Sequence, residues 1–193
     1  MAFLLFAVAA AGTPGPSNIM LTAVGARAGV LRGLPSLMGV MTGMGLMMFA
    51  VPLGLGSLVL AHPPVLKTLH WGGAAFLLWL SWKIAMSPSD SEAMPERNPV
   101  GFLGAAAFQW VNPKSWLVSA IAAGTFLGTG RGSPIVQAAF LGGLFIVAAL
   151  PSCFLWLAFG AGVQRVLHSR RRRRTFNIVM GALLAVSVAL IVG

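Results

Sequence analysis

Apolar residues in this chain come in long blocks, not in the alternating or one-sided stripes of soluble strands and helices. Six stretches carry no charged side chain: Ala2 to Ala26, Gly33 to Leu66, Thr68 to Trp82, Asn98 to Pro113, Gly132 to Gln164 and Thr175 to Gly193. A hydrocarbon core takes about 20 helical residues to cross, so the pattern predicts spans near 2–26, 35–60, 64–84, 99–129, 134–162 and 174–192. Met1 to Gly12 opens without Lys or Arg, and cleavage after Ala9-Ala10-Ala11 would remove half of the first span. It therefore reads as membrane helix and not as a signal peptide.

Two of the six blocks are interrupted. Thr13-Pro14-Gly15-Pro16 breaks the first and Asn112-Pro113-Lys114 breaks the fourth. An unpaired backbone group in hydrocarbon costs several kcal/mol, so broken backbone at that depth survives only against protein or a water-filled cavity. A packed proline kink is the bland alternative for either break taken alone. The two breaks are, however, copies of one another. Pro14 matches Pro113, Pro35 matches Pro134 and Pro52 matches Pro151, all at an offset of 99. Arg32-Gly33-x-Pro35 recurs as Arg131-Gly132-x-Pro134 and Phe3-Leu4 as Phe102-Leu103, at the same offset.

The predicted fold is thus an all-α integral membrane domain of six transmembrane helices, residues 1–193, with helices 1 and 4 broken. It is built as two repeats (about 1–92 and 96–193) joined by a polar linker over about 87–99. Three spans per repeat force the second repeat into the membrane upside down. Inverted repeats with matched Gly/Pro interruptions are the pattern of secondary transporters, whose site lies at the midplane where the broken helices face each other.

Composition agrees with a membrane protein: 58% of the residues are hydrophobic and 8% charged, against roughly a quarter charged in soluble domains. The net charge of +10 is distributed by topology. Arg27, Arg32, Lys83, Arg97, Arg165 and Arg170 to Arg174 fall on one side of a six-span chain, Lys67 and Arg131 on the other. The positive-inside rule then puts both termini outside. Arg170, Arg171, Arg172, Arg173 and Arg174 read as an anchor to anionic lipid headgroups, not as a nucleic-acid surface, because no soluble module accompanies them. A single cysteine, Cys153, excludes an internal disulfide framework and reads as an inert small hydrophobe. His62, His70 and His168 have no Cys, Asp or Glu at ligand spacing, so no metal or other cofactor is expected, and no catalytic constellation argues for an enzyme.

The chemistry expected at the breaks follows from helix ends. Thr13 and Asn112 are placed to cap restarted helices, with Pro14 and Pro113 at the first helical position. Each restart aims free N–H groups and a positive dipole end at the protein centre, which suits a carboxylate. Carbonyls left over at Gly12 and Val111 suit an ammonium group. Gly15 permits close approach, Pro16 follows it, and Ser17, Asn18, Gln109 and Ser115 add neutral contacts. Lys114 is the one charge expected at membrane depth, where lysine costs about 2.5–3.5 kcal/mol and is functional by default. It is assigned to the substrate carboxylate or to proton coupling, the alternatives being a side chain that snorkels to an interface or caps carbonyls. Met38, Met41, Met44, Met47 and Met48 form a stripe that reads as packing first and substrate path second, with Gly39 and Thr42 as cavity lining.

These residues resemble the lysine-exporter (LysE/RhtB-type) family. The resemblance rests on Thr13-Pro14-Gly15-Pro16-Ser17-Asn18, Gly25-Ala26-Arg27-x-Gly29 with Arg32-Gly33, Gly72 to Lys83, and Asn112-Pro113-Lys114. It covers nearly the whole chain and implies an inner-membrane exporter of amino acids or similar small zwitterions, exchanging them for protons by alternating access. Family members often carry an acidic residue in the fifth span; 134–162 has none, which weighs against lysine or arginine as substrate. The competing readings are a non-transporting structural subunit and a passive channel. Small residues along the spans are compatible with a homo-oligomer.

Overall fold

The computed structural model describes residues 1–87, 100–128, 132–166 and 169–192, and all regular structure among them is helical. The linker expected over 87–99 falls almost entirely outside the described residues. In chain order the elements are α1 (Ala2–Gly12), α2 (Pro16–Ala50), a π turn (Val51–Leu55), α3 (Gly56–Ala61), α4 (Pro63–Ala85), α5 (Phe102–Val111), α6 (Pro113–Phe126), α7 (Pro134–Val166) and α8 (Arg170–Val192).

Both predicted interruptions are present, between α1 and α2 and between α5 and α6. At 1.5 Å per residue, α1 and α5 (11 and 10 residues) reach only about halfway across a core of about 30 Å. The turn expected between spans one and two, across residues 27–34, is made without a loop: helix lies on both sides of it, so that α2 is continuous but for one kink. Its 35 residues would reach about 50 Å if straight, which no bilayer core accommodates. The helix changes direction at Gly29, whose φ of 75° and ψ of 179° are non-helical and belong to glycine alone. A second glycine, Gly54 (φ 111°), sits in the π turn beside Pro52, where the helix is widened. Its counterpart at Pro151 lies inside an unbroken α7.

The centre of the molecule is the crossing of α2 and α7. The two backbones touch without side chains between them: a Cβ on Gly25 would lie 2.1 Å from the Leu157 carbonyl oxygen, and one on Gly160 would lie 2.0 Å from that of Thr22. Thr22 Oγ1 adds hydrogen bonds to the carbonyls of Asn18 and Trp156. On another face of α2, Gly39 and Gly43 receive α5, whose Phe102 and Ala106 carbonyls leave no room for a Cβ. Such small-residue contacts are the means by which helices associate where lipid is as apolar as the core.

α1 packs on α7 as α5 packs on α2, and α4 pairs with α8. Ser81 Oγ closes the last pair by donating to the Gly181 carbonyl at 2.6 Å. The polarity of the surface is inverted relative to a soluble protein. Leu5, Phe140, Val147, Leu155 and Phe159 are exposed, while Ser36, Gln109 and Asn112 are buried. Exposed apolar area on that scale marks a surface solvated by lipid.

Candidate functional site

The residues of the two breaks, 92 to 101 positions apart in the chain, meet in one hydrogen-bonded cluster. Ser17 Oγ donates to Gln109 Oε1 at 2.9 Å, and Ser115 Oγ donates to the same oxygen at 2.9 Å. Asn112 Nδ2 donates to Ser17 Oγ at 2.9 Å. Lys114 Nζ crosses to the Thr13 carbonyl. Gln109, Asn112, Ser115 and Asn18 are all buried. A buried polar cluster of this kind persists only because each member finds partners.

The capping chemistry is as expected at one break and different at the other. Asn112 caps α6, its side chain accepting from Lys114 N at 3.1 Å, with Pro113 at the first turn. Thr13 does not cap α2. It finishes α1 instead, donating both its N–H (2.9 Å) and its Oγ1 (2.7 Å) to the Ala9 carbonyl. The N-cap of α2 is Gly15, followed by Pro16, so the helix restarts two residues later than expected. The Lys114 side chain lies across Gly15, where a Cβ would come within 2.8 Å of Lys114 Cδ.

The carbonyls at the end of α1, expected to be open to a ligand ammonium, are taken up by the protein itself. Asn18 Nδ2 donates to Ala11 O at 2.9 Å and to Thr13 O at 2.8 Å, and Lys114 shares the latter oxygen. At the second break Trp116 Nε1 holds the Trp110 carbonyl at 2.7 Å.

A cavity of about 40 Å³ lies at this junction. Of the expected residues, Gly15, Ser17, Asn18, Gln109, Asn112, Lys114 and Ser115 line it. Thr13, Pro14, Pro16 and Pro113 shape the breaks without lining it. Gly39 and Thr42 do not line it either; the face of Gly39 is filled by the Phe102 carbonyl. In their place α2 supplies Val40, Met41 and Met44, α6 Val118, and α7 Phe145 and Cys153. Cys153 thus borders the site, where the sequence suggested only packing. No spacing rule singles out these apolar positions, because every face of a membrane helix is apolar.

Electrostatically the cavity is one-sided. The N-termini of α2 and α6 both open on it and present positive dipole ends, and Lys114 adds a full charge. Among the described residues no acidic side chain lines it; the three carboxylates of the chain, Asp90, Glu92 and Glu96, fall in the linker stretch outside the described residues. Such a site favours a carboxylate. At about 40 Å³ it holds a few water molecules, so an amino acid would enter only if the surrounding helices part.

Residues 8–192 match the LysE type translocator family. The chain belongs to this family. Relatives include the cysteine/O-acetylserine efflux protein of Salmonella typhimurium (strain LT2), 34% identical over 188 residues, covering 95% of this chain and 92% of the relative. Another is the protein of the same description from Escherichia coli (strain K12), 31% identical over 187 residues, with the same coverage on both sides. No solved structure matches the chain. Membership in a translocator family makes this protein a membrane transporter and not an enzyme.

Proposed function

We propose that this LysE-family protein exports a small zwitterionic amino acid across the bacterial inner membrane. The observation that carries the proposal is the junction itself: two helix N-termini and Lys114 converge on a cavity between the two breaks that no acidic side chain lines among the described residues. The substrate carboxylate takes the place that the Thr13 carbonyl holds against Lys114 Nζ, and the ammonium group takes the oxygens that Lys114 and Asn18 release. Relatives named for efflux of cysteine and O-acetylserine place the α-amino acid group among the ligands to test first.

The transporter crosses the membrane six times as two inverted repeats, 1–92 and 96–193, with both termini outside. Span one comprises α1 and α2 up to Gly29; span two continues through α3; span four comprises α5 and α6. The helix contacts support this division. Exchanging the halves maps the α1–α7 contact onto α5–α2 and maps the α4–α8 pair onto itself. Export proceeds by alternating access, the halves rocking about the junction and widening the cavity on one side at a time. Protons are the counter-ion, and Lys114 is the cation in position to release and regain one as substrate passes. Arg170 to Arg174, at the start of α8, lie at the positive end of its dipole, and anionic headgroups offset that charge.

Reconstituted protein tests the reading. Wild-type proteoliposomes loaded with L-cysteine or O-acetylserine should show saturable counterflow, and Lys114→Ala should lose it while inserting and folding normally. Non-saturating flux in the wild type would indicate a channel, no flux a structural subunit, and unchanged counterflow in Lys114→Ala would remove Lys114 from the mechanism.

A further inference from the structure

We propose that Met41 and Met44 of α2, with Phe145 and Cys153 of α7, form the subsite that receives the substrate's side chain and restricts it to neutral groups. The inference rests on the transport reading above and adds to it a residue set for selectivity. The cavity is divided by element. Residues of the breaks supply its polar lining, whereas α2 beyond Gly29 and α7 supply only apolar and sulfur-bearing side chains.

The methionine stripe is divided in the same way. Met41 and Met44 line the cavity; Met47 and Met48 are fully buried elsewhere in the core; Met38 is half-exposed on the outer surface. Packing alone accounts for the last three. The first two place two flexible, polarizable thioethers one turn apart beside the cluster that would hold the amino and carboxyl groups, and methionine adapts to varied apolar shapes. A cationic side chain in this subsite would lose its hydration with no carboxylate among the described lining residues to replace it. An anionic one would compete for Lys114 with the α-carboxylate. Neutral side chains remain, and the thioethers set how large they can be.

The test uses full-length protein in nanodiscs and measures affinities for L-alanine, L-leucine and L-lysine. Wild type should bind L-alanine and bind L-lysine at least tenfold more weakly. Met44→Ala should raise the affinity for L-leucine relative to L-alanine by about tenfold, the range expected when a hydrophobic pocket gains or loses one to two methylenes. Met41→Ala should move the ratio in the same direction and serves if Met44→Ala does not fold. Met47→Ala, equally buried but away from the cavity, should leave the ratio unchanged. Binding by wild type with the ratio unmoved in both cavity variants, or moved equally by Met47→Ala, overturns the subsite while leaving the transport reading intact. L-Lysine bound as tightly as L-alanine overturns the exclusion of cations. Absence of binding to L-alanine, L-leucine and L-lysine alike overturns the subsite, whereas the transport reading stands or falls on the counterflow of L-cysteine and O-acetylserine.

Discussion

Gln109→Leu isolates the energetic centre of the junction. Gln109 Oε1 accepts from Ser17 of one break and Ser115 of the other, and the side chain has no exposed surface. Leucine keeps the apolar stem and removes the shared acceptor. A buried hydroxyl left without a partner costs about 1–3 kcal/mol. Ser115 can turn back to a carbonyl of its own helix, which puts its loss at the low end of that range. Ser17 has a poorer escape, because the Thr13 carbonyl one turn behind it already accepts from Asn18 and Lys114, but it is only half-buried and keeps the bond it accepts from Asn112 Nδ2, so its loss is also at the low end. The expected destabilisation is therefore about 2 kcal/mol, the two hydroxyls together. Unfolding by SDS in mixed micelles, followed by the fluorescence of the tryptophans, measures it. In a Ser115→Ala background the same substitution should cost about 1 kcal/mol less, because one stranded donor is no longer there. A loss below about 0.5 kcal/mol, or strict additivity with Ser115→Ala, would refute the assignment of Gln109 as the acceptor that joins the halves.

The remaining predictions concern packing. Gly160→Ala should destabilise by about 3 kcal/mol or more, since the new Cβ would stand 2.0 Å from the Thr22 carbonyl and only separation of α2 from α7 relieves it; Gly162→Ala on the same helix meets nothing within 4 Å and should be neutral or stabilising by up to about 1 kcal/mol. The same micelle unfolding assay distinguishes them. Ser119→Ala should raise stability by about 1 kcal/mol, because Ser119 Oγ is buried with no hydrogen-bond partner among the described residues and its hydroxyl is desolvated for no return; a loss of that size would mean that the hydroxyl has a partner in the working protein.

The places where sequence reasoning stopped have identifiable causes. Asn112 was legible as a cap because its break offers a single Pro after a single capping residue. The first break offers two Pro and a Thr before the first of them, and each reading satisfies helix chemistry equally. The structure takes Gly15, with Thr13 held at the end of α1 by its bonds to the Ala9 carbonyl and the Lys114 side chain lying against Gly15. The turn at Gly29 was legible as a region, because Arg27 and Arg32 interrupt the apolar blocks around it; what the sequence did not carry is that helix continues on both sides and the change of direction is confined to one glycine. Gly39 faces the crossing with α5 and not the cavity, a distinction between two small-residue surfaces that composition cannot make.

Taken by itself, the sequence determined that this chain is an all-helical membrane protein, where α1 and α5 stop, and that Lys114 sits beside one of those stops. Each of these is a local consequence of side-chain transfer energy and of what proline and asparagine do to a helix end. Tertiary structure alone decided that the stops touch, that Lys114 and Asn18 already occupy the carbonyls a ligand would want, and that two methionines and the lone cysteine face the cavity while their neighbours fill the core. Those facts depend on how far two helices approach at Gly25 and Gly160 and so on how each is rotated, and a uniformly apolar helix carries no local signal of its own rotation.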